Sequence, residues 1–133
     1  MLIIRILSAS IRRKTSTVSD MKCVARFTIG EATDETQISK DTKESPPVWK
    51  DVFRMYVIGS SMTGKLQVFD VGISGDTLVG ECEVDIKELM NEPVGKEHST
   101  EIMFQDSIAG TVKFIAAYAN LEQVGVENRQ RII

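Results

Sequence analysis

The chain has 133 residues, which suits one domain around a single core. Apolar residues make up 42% and charged residues 26%, ordinary values for a folded globular protein and outside the range of intrinsic disorder. A formal charge of -3 supplies no global basic field for nucleic acid, and no apolar run approaches the roughly 20 residues of a membrane-spanning helix.

Taken in order, Leu2 to Leu7 predicts a strand, apolar on both faces except at Arg5. It is too short for the apolar core of a signal peptide. Ser8 to Ser19 is a polar loop with a basic centre. Met21 to Ile29 predicts the next strand, in which Cys23, Ala25, Phe27 and Ile29 alternate with Lys22, Val24, Arg26 and Thr28. Glu35 to Lys40 is a short polar strand anchored by Ile38, charged enough for a sheet edge. After a loop from Asp41 to Pro47, strands follow at Val52 to Ile58, Lys65 to Val71 and Leu78 to Asp85. Ile86 to Asn91 predicts one helical turn with Ile86, Leu89 and Met90 on one side. His98 to Gln105, with Ile102 and Phe104 facing in, and Gly110 to Ala119 are the last strands. Residues 120–133 lose the pattern and are expected to form a loosely ordered tail after a domain spanning 1–119.

Eight short strands separated by polar turns, with no helix of useful length between them, predict an all-β fold. The expected architecture is an eight-stranded antiparallel β-sandwich, with alternating apolar positions buried between two aligned sheets. Cys23 and Cys82, with no signal peptide, point to free buried thiols in a reducing compartment. The expected setting is therefore cytoplasmic, with membranes touched only from outside.

Several motifs resolve to bland readings. The run Gly59-Ser60-Ser61-Met62-Thr63-Gly64-Lys65 matches most of a phosphate-binding loop, but Leu66 replaces the magnesium-binding Ser or Thr and a strand follows instead of a helix. A hairpin loop explains it. The only histidine, His98, has no recognisable nucleophile motif near it, and no paired-cysteine zinc spacing occurs. No enzyme is expected. Lysines without interleaved exposed aromatics do not support nucleic-acid binding.

The stretch Pro47 to Gly80 organises the rest. It holds Pro47-Val48-Trp49-Lys50-Asp51-Val52-Phe53, then Leu66-Gln67-Val68-Phe69-Asp70, then a Gly- and Asp-bearing loop closing on Leu78-Val79-Gly80. The pattern P-x-W-x-(D/E)-x-F, L-x-V-x-D and (L/I)-(V/I)-G in this order resembles the middle of a C2 domain, the β-sandwich known for calcium-dependent and calcium-independent phospholipid binding. The resemblance runs from Leu2 to about Tyr118 and implies type II strand order in a stand-alone domain.

It also implies that Asp20, Asp70 and Asp76 stand at or near calcium-ligand positions. Lys14 stands where the family's other first-loop aspartate lies, and Gly72 where a second third-loop aspartate lies. Calcium needs six to eight oxygens converging in one site. Two or three carboxylates with an ammonium among them make no tight site, so no cofactor is expected, and Lys14 is expected to neutralise Asp20 and Asp70.

The resemblance places Ile11, Arg12, Arg13 and Lys14 of the first loop at the same end as Val71 and Ile73 of the third. Ile11 and Ile73 as apolar tips, ringed by Arg12, Arg13 and Lys14, are the chemistry of a loop that touches an anionic phospholipid surface; a protein partner is the other expected target. Lys22, Arg26, Lys40, Lys43 and Lys50 form a second basic surface. They alternate with Asp41, Glu44 and Asp51, which makes a mixed, solvated face.

Overall fold

The computed structural model describes residues 1–16, 20–57 and 63–119. Within them nine strands and one short helix follow one another: β1 (Leu2–Ile11), β2 (Met21–Ile29), β3 (Ala32–Glu35), β4 (Ser39–Asp41), β5 (Val52–Met55), β6 (Thr63–Gly72), β7 (Gly75–Asp85), α1 (Ile86–Asn91), β8 (Glu97–Phe104) and β9 (Ser107–Tyr118). Every strand pairing among them is antiparallel. The order is β3-β2-β6-β7-β8-β9-β1-β5, with β4 also on β2. β7 and β8 share a single residue pair, Glu81 with Met103. The path bends at that joint into two layers, β3/β4-β2-β6-β7 and β8-β9-β1-β5, and the expected all-β sandwich results.

The core follows from alternation. Cys23, Ala25, Phe27 and Ile29 of β2, Leu66 and Val68 of β6, Ile102 of β8 and Val112, Phe114 and Ala116 of β9 are buried. Strand β1 keeps Leu2, Ile4 and Ile6 inside, then changes phase. Its register against β9 slips between Ile6 and Ser8, and from there Ala9 and Ile11 are the buried residues. The sequence suggests a strand end at Leu7 because the period-two pattern breaks there. The backbone continues through a bulge instead.

The predicted third strand divides into β3 and β4 around Thr36. Thr36 is buried, its amide donates to the Ala25 carbonyl at 2.9 Å, and its hydroxyl accepts from the Ala25 amide at 2.9 Å. A side-chain oxygen thus replaces one ladder acceptor and lets the edge break. Ile38, expected to anchor that strand, lies in the gap and is 53% exposed. The helix forms where predicted, because Asp85 Oδ1 accepts from the Lys87 and Glu88 amides while Ile86 and Leu89 face the core. The tail expectation for 120–133 lies outside the described residues.

Trp49 joins the two layers. Its backbone amide donates to the Leu7 carbonyl at 2.9 Å, at the β1 bulge. Its indole Nε1 donates to the Cys23 carbonyl on β2 at 3.2 Å, and the ring is 3% exposed. Pro47 adds a bond from the Ala9 amide to its carbonyl. The Trp49→Phe variant keeps most of the buried ring and strands the Cys23 carbonyl, which predicts a loss of about 1–3 kcal/mol. Urea unfolding should show a lower midpoint with an unchanged slope; an unchanged midpoint would remove the indole bond from the account.

Candidate functional site

Three consecutive residues of the loop after β1 each fasten one end of the sandwich to a different strand. Arg13 Nη1 donates to the Leu78 carbonyl of β7 at 2.7 Å, and its guanidinium lies 3.6 Å from the centroid of the Phe104 ring of β8. The Lys14 ammonium forms an ion pair with Asp41 of β4. The Thr15 hydroxyl donates to Asp70 Oδ2 of β6 at 2.7 Å. The Arg12 and Arg13 amides both donate to the Ala109 carbonyl of β9. One loop is thereby tied to β4, β6, β7, β8 and β9.

The third loop is shorter than the sequence suggests. β6 and β7 stay paired through Asp70 with Thr77 and Val71 with Asp76 to Gly72 with Gly75, leaving Ile73 and Ser74 as a two-residue turn. Gly75 has φ 131°, open to glycine and rarely to other residues. The hairpin projects Ile73 wholly into solvent.

The five expected lipid contacts therefore separate. Ile11 is buried on β1, turned inward by the bulge, and forms no tip. Arg13 and Lys14 are engaged in the clamps just described. Arg12 and Ile73 are exposed. Lys22 and Lys40 are exposed on the outer face of the other sheet and sit directly opposite each other in register. Arg26, on the same face, is ion-paired with Glu35 at 2.8 Å and Asp76 at 3.5 Å and lies over Phe69.

The carboxylates do not converge. Asp70 accepts from Thr15 and, through Oδ1, from the Lys22 amide at 2.9 Å. Asp76 sits on β7 facing Arg26. Asp20 is exposed. Lys14, expected against Asp20 and Asp70, reaches Asp41 instead, and Thr15 serves Asp70. Asp41 escaped sequence reasoning because it stood at the start of a polar loop among other charges. Among the described residues, no three His, Cys, Asp or Glu side chains are placed to hold a metal. The described residues do not fit a calcium ion. Residues 59–62 of the near phosphate-loop motif, with the hairpin loop expected there, lie outside the described residues. Thr63-Gly64-Lys65 lies in β6, and a Cβ on Gly64 would come 2.7 Å from the Phe27 ring, so this glycine serves packing.

Cys23 lies beneath this end. Burial, then the charges of Asp41 and Asp70, push its thiol up to about 12. Below about pH 9 both folded and unfolded chains keep this proton. Between about 9 and about 12 only the folded chain does, so its contribution to stability falls as pH rises through that window. Denaturation at about pH 8 and about pH 10.5 should show a steeper loss in the parent than in Cys23→Ala; equal losses would contradict it.

The Lys14–Asp41 pair makes a second prediction. The Asp41 side chain is 7% exposed and that of Lys14 is 49% exposed. Lys14→Met should destabilise by about 1–3 kcal/mol through the stranded carboxylate. Lys14→Met with Asp41→Asn should recover part of it, and a double-mutant cycle reads the coupling. Additive losses would mean that the pair contributes nothing.

A family model described as C2 domain matches residues 1–102. No curated protein matches the chain. Among solved structures, the first C2 domain of plant Extended Synaptotagmin 1 superposes with a TM-score of 0.75 at 16% identity, covering 90% of this chain and 95% of that one. The calcium-bound pair of C2 domains of Extended Synaptotagmin 2 gives 0.70 at 15%, covering 86% and 44%. Human GIVD cytosolic phospholipase A2 gives 0.62 at 22%, covering 90% and 17%. At these identities the likeness is one of fold.

Proposed function

The chain belongs to the C2 domain family, whose members bind phospholipid membranes or proteins, and on that basis we propose that it is a non-enzymatic module that docks on an anionic phospholipid surface through its loop end without calcium. The observation that carries this reading is Ile73, fully exposed at the tip of a two-residue hairpin beside loop-end carboxylates that protein donors already occupy. A calcium-triggered site needs free, converging carboxylates. Here Lys14, Thr15 and the Lys22 amide take the place of the ion.

Magnitudes set the mode of action. Arg12, Lys22 and Lys40 near an anionic leaflet supply about 1 kcal/mol each. Inserting Ile73 adds about 1.5–3 kcal/mol. The sum, about 4.5–6 kcal/mol, corresponds to a dissociation constant of roughly 0.04–0.5 mM. One copy binds weakly and reversibly, as a peripheral contact from the cytoplasmic side, and a protein partner or a second lipid contact would hold it longer. No helix among the described residues is long and apolar enough to cross a membrane. His98, the one histidine, stacks on Phe114 at 5.0 Å, at the end of β8 away from the loops. That placement supports a packing role over a catalytic one.

Cosedimentation with phosphatidylserine-containing vesicles tests the proposal. The parent should pellet equally in chelator and in millimolar calcium. Ile73→Ser should reduce pelleting about tenfold with an unchanged unfolding midpoint, as expected for a side chain that touches nothing in the free protein. Binding only with calcium, or binding indifferent to Ile73, would overturn it.

A further inference from the structure

The bulge at Leu7 does more than keep Ala9 and Ile11 in the core. By shifting the phase of β1 it turns Ser8 and Ser10 onto the outer face of the sheet. Bulges commonly re-aim side chains in this way. Ser8 then stands directly across from Lys113 on β9, and Ser10 across from Thr111. Opposed side chains in an antiparallel pair start about 5 Å apart, so the four residues form a compact patch of donors. The segment after β4 stands beside it, and the two enclose a groove of about 450 Å³ that also carries Thr42, Lys43 and Ser45.

Five donor groups in this groove are unspent, whereas the Thr42 and Ser45 hydroxyls donate to the Ser45 and Pro46 carbonyls. The hydroxyls of Ser8, Ser10 and Thr111 and the ammonium groups of Lys43 and Lys113 have no hydrogen-bond or ion-pair partner among the described residues. The groove's other charges are Lys14 and Asp41, which satisfy each other, and Glu44. Among the described residues, two free cations against one free anion leave a positive excess there, in a protein whose formal charge is -3. No aromatic ring lines the groove, so nothing there stacks on a nucleobase. Ammonium groups favour phosphate oxygens through charge-assisted hydrogen bonds. Serine and threonine hydroxyls both donate and accept, which suits a polyhydroxylated ligand. The volume leaves room for more than one phosphate group.

We propose that this groove binds a phosphate-bearing polyol, with Lys43 and Lys113 on the phosphate and Ser8, Ser10 and Thr111 on the hydroxyls. Neither the Ile73 tip nor the Lys22–Lys40 pair lines the groove, so the site stands or falls independently of the membrane contact proposed above. The ligand is either the phosphorylated headgroup of a lipid or a free polyol phosphate.

Titration of the ¹⁵N-labelled chain with myo-inositol 1-phosphate reads the site directly, with myo-inositol and inorganic phosphate as comparators. Saturable amide shifts are expected at Ser8, Ser10, Lys43, Thr111 and Lys113, with the phosphorylated polyol binding more tightly than either comparator. The double variant Lys43→Ala, Lys113→Ala should weaken binding at least about tenfold while leaving the unfolding midpoint unchanged, because both side chains are exposed and unpaired. Absence of saturable shifts at these amides, shifts confined to the Lys22–Lys40 face, or undiminished affinity in the double variant would each overturn the assignment. Vesicles of phosphatidylcholine carrying phosphatidylinositol 4-phosphate, used with an Ile73→Ser background, separate the two sources. Pelleting that survives Ile73→Ser and is lost with the lysines assigns the groove to a headgroup. Soluble binding without pelleting assigns it to a free polyol phosphate.

Discussion

Trp49 is hydrogen-bonded to both sheets, and much of the architecture rests on that fact. Its amide takes up the Leu7 carbonyl at the bulge of β1, and its indole takes up the Cys23 carbonyl of β2. Both carbonyls sit where a strand ladder is irregular, one at a bulge and the other beside the broken β3–β4 edge. A buried carbonyl without a donor is costly. One residue on the connection between the sheets satisfies both, and fixes how far apart the sheets lie at that point. The bulge it stabilises then sets the two faces of β1: Ile11 goes into the core, while Ser8 and Ser10 go to the surface.

At the loop end the same economy holds for charge. Arg13, Lys14 and Thr15 occupy consecutive positions yet reach three different strands. Cationic and hydroxyl donors there bind carbonyl and carboxylate oxygens of the protein itself. Among the described residues this end is therefore a set of internal bonds, with Arg12, Asp20 and Ile73 left exposed. The proposed membrane contact belongs to such a surface: apolar insertion and diffuse charge contribute, and neither depends on an ion to bridge protein and headgroup.

How much of this was legible in the sequence varies with the range of the interaction. Most strand positions, the helical turn at Ile86–Asn91 and the sandwich class are written in short-range alternation and capping, although the strand expected over Val52 to Ile58 ends at Met55, and the motifs from Pro47 to Gly80 carried the family. The family resemblance placed Ile73 in the third loop, and there it is fully exposed. Ile11 did not follow. Its place depends on a one-residue slip against a strand about a hundred positions away, and a slip of one residue exchanges the faces of everything after it. Ile38 misled for the opposite reason: a lone apolar residue in a polar strand suggests an anchor, whereas Thr36 satisfies the backbone and leaves Ile38 outside.

The partners of charged residues were the least accessible. Residue type and spacing were enough for the all-β alternation and for the family. They were not enough to show that Lys14 meets Asp41 and not Asp20 or Asp70, or that Arg13 is spent on Leu78 and Phe104. Nor could they show that Ser8, Ser10, Thr111 and Lys113 share one groove. Each of those depends on which strands lie side by side and in which register, and pairing across the sandwich is set by packing of the whole core rather than by any local run of residues.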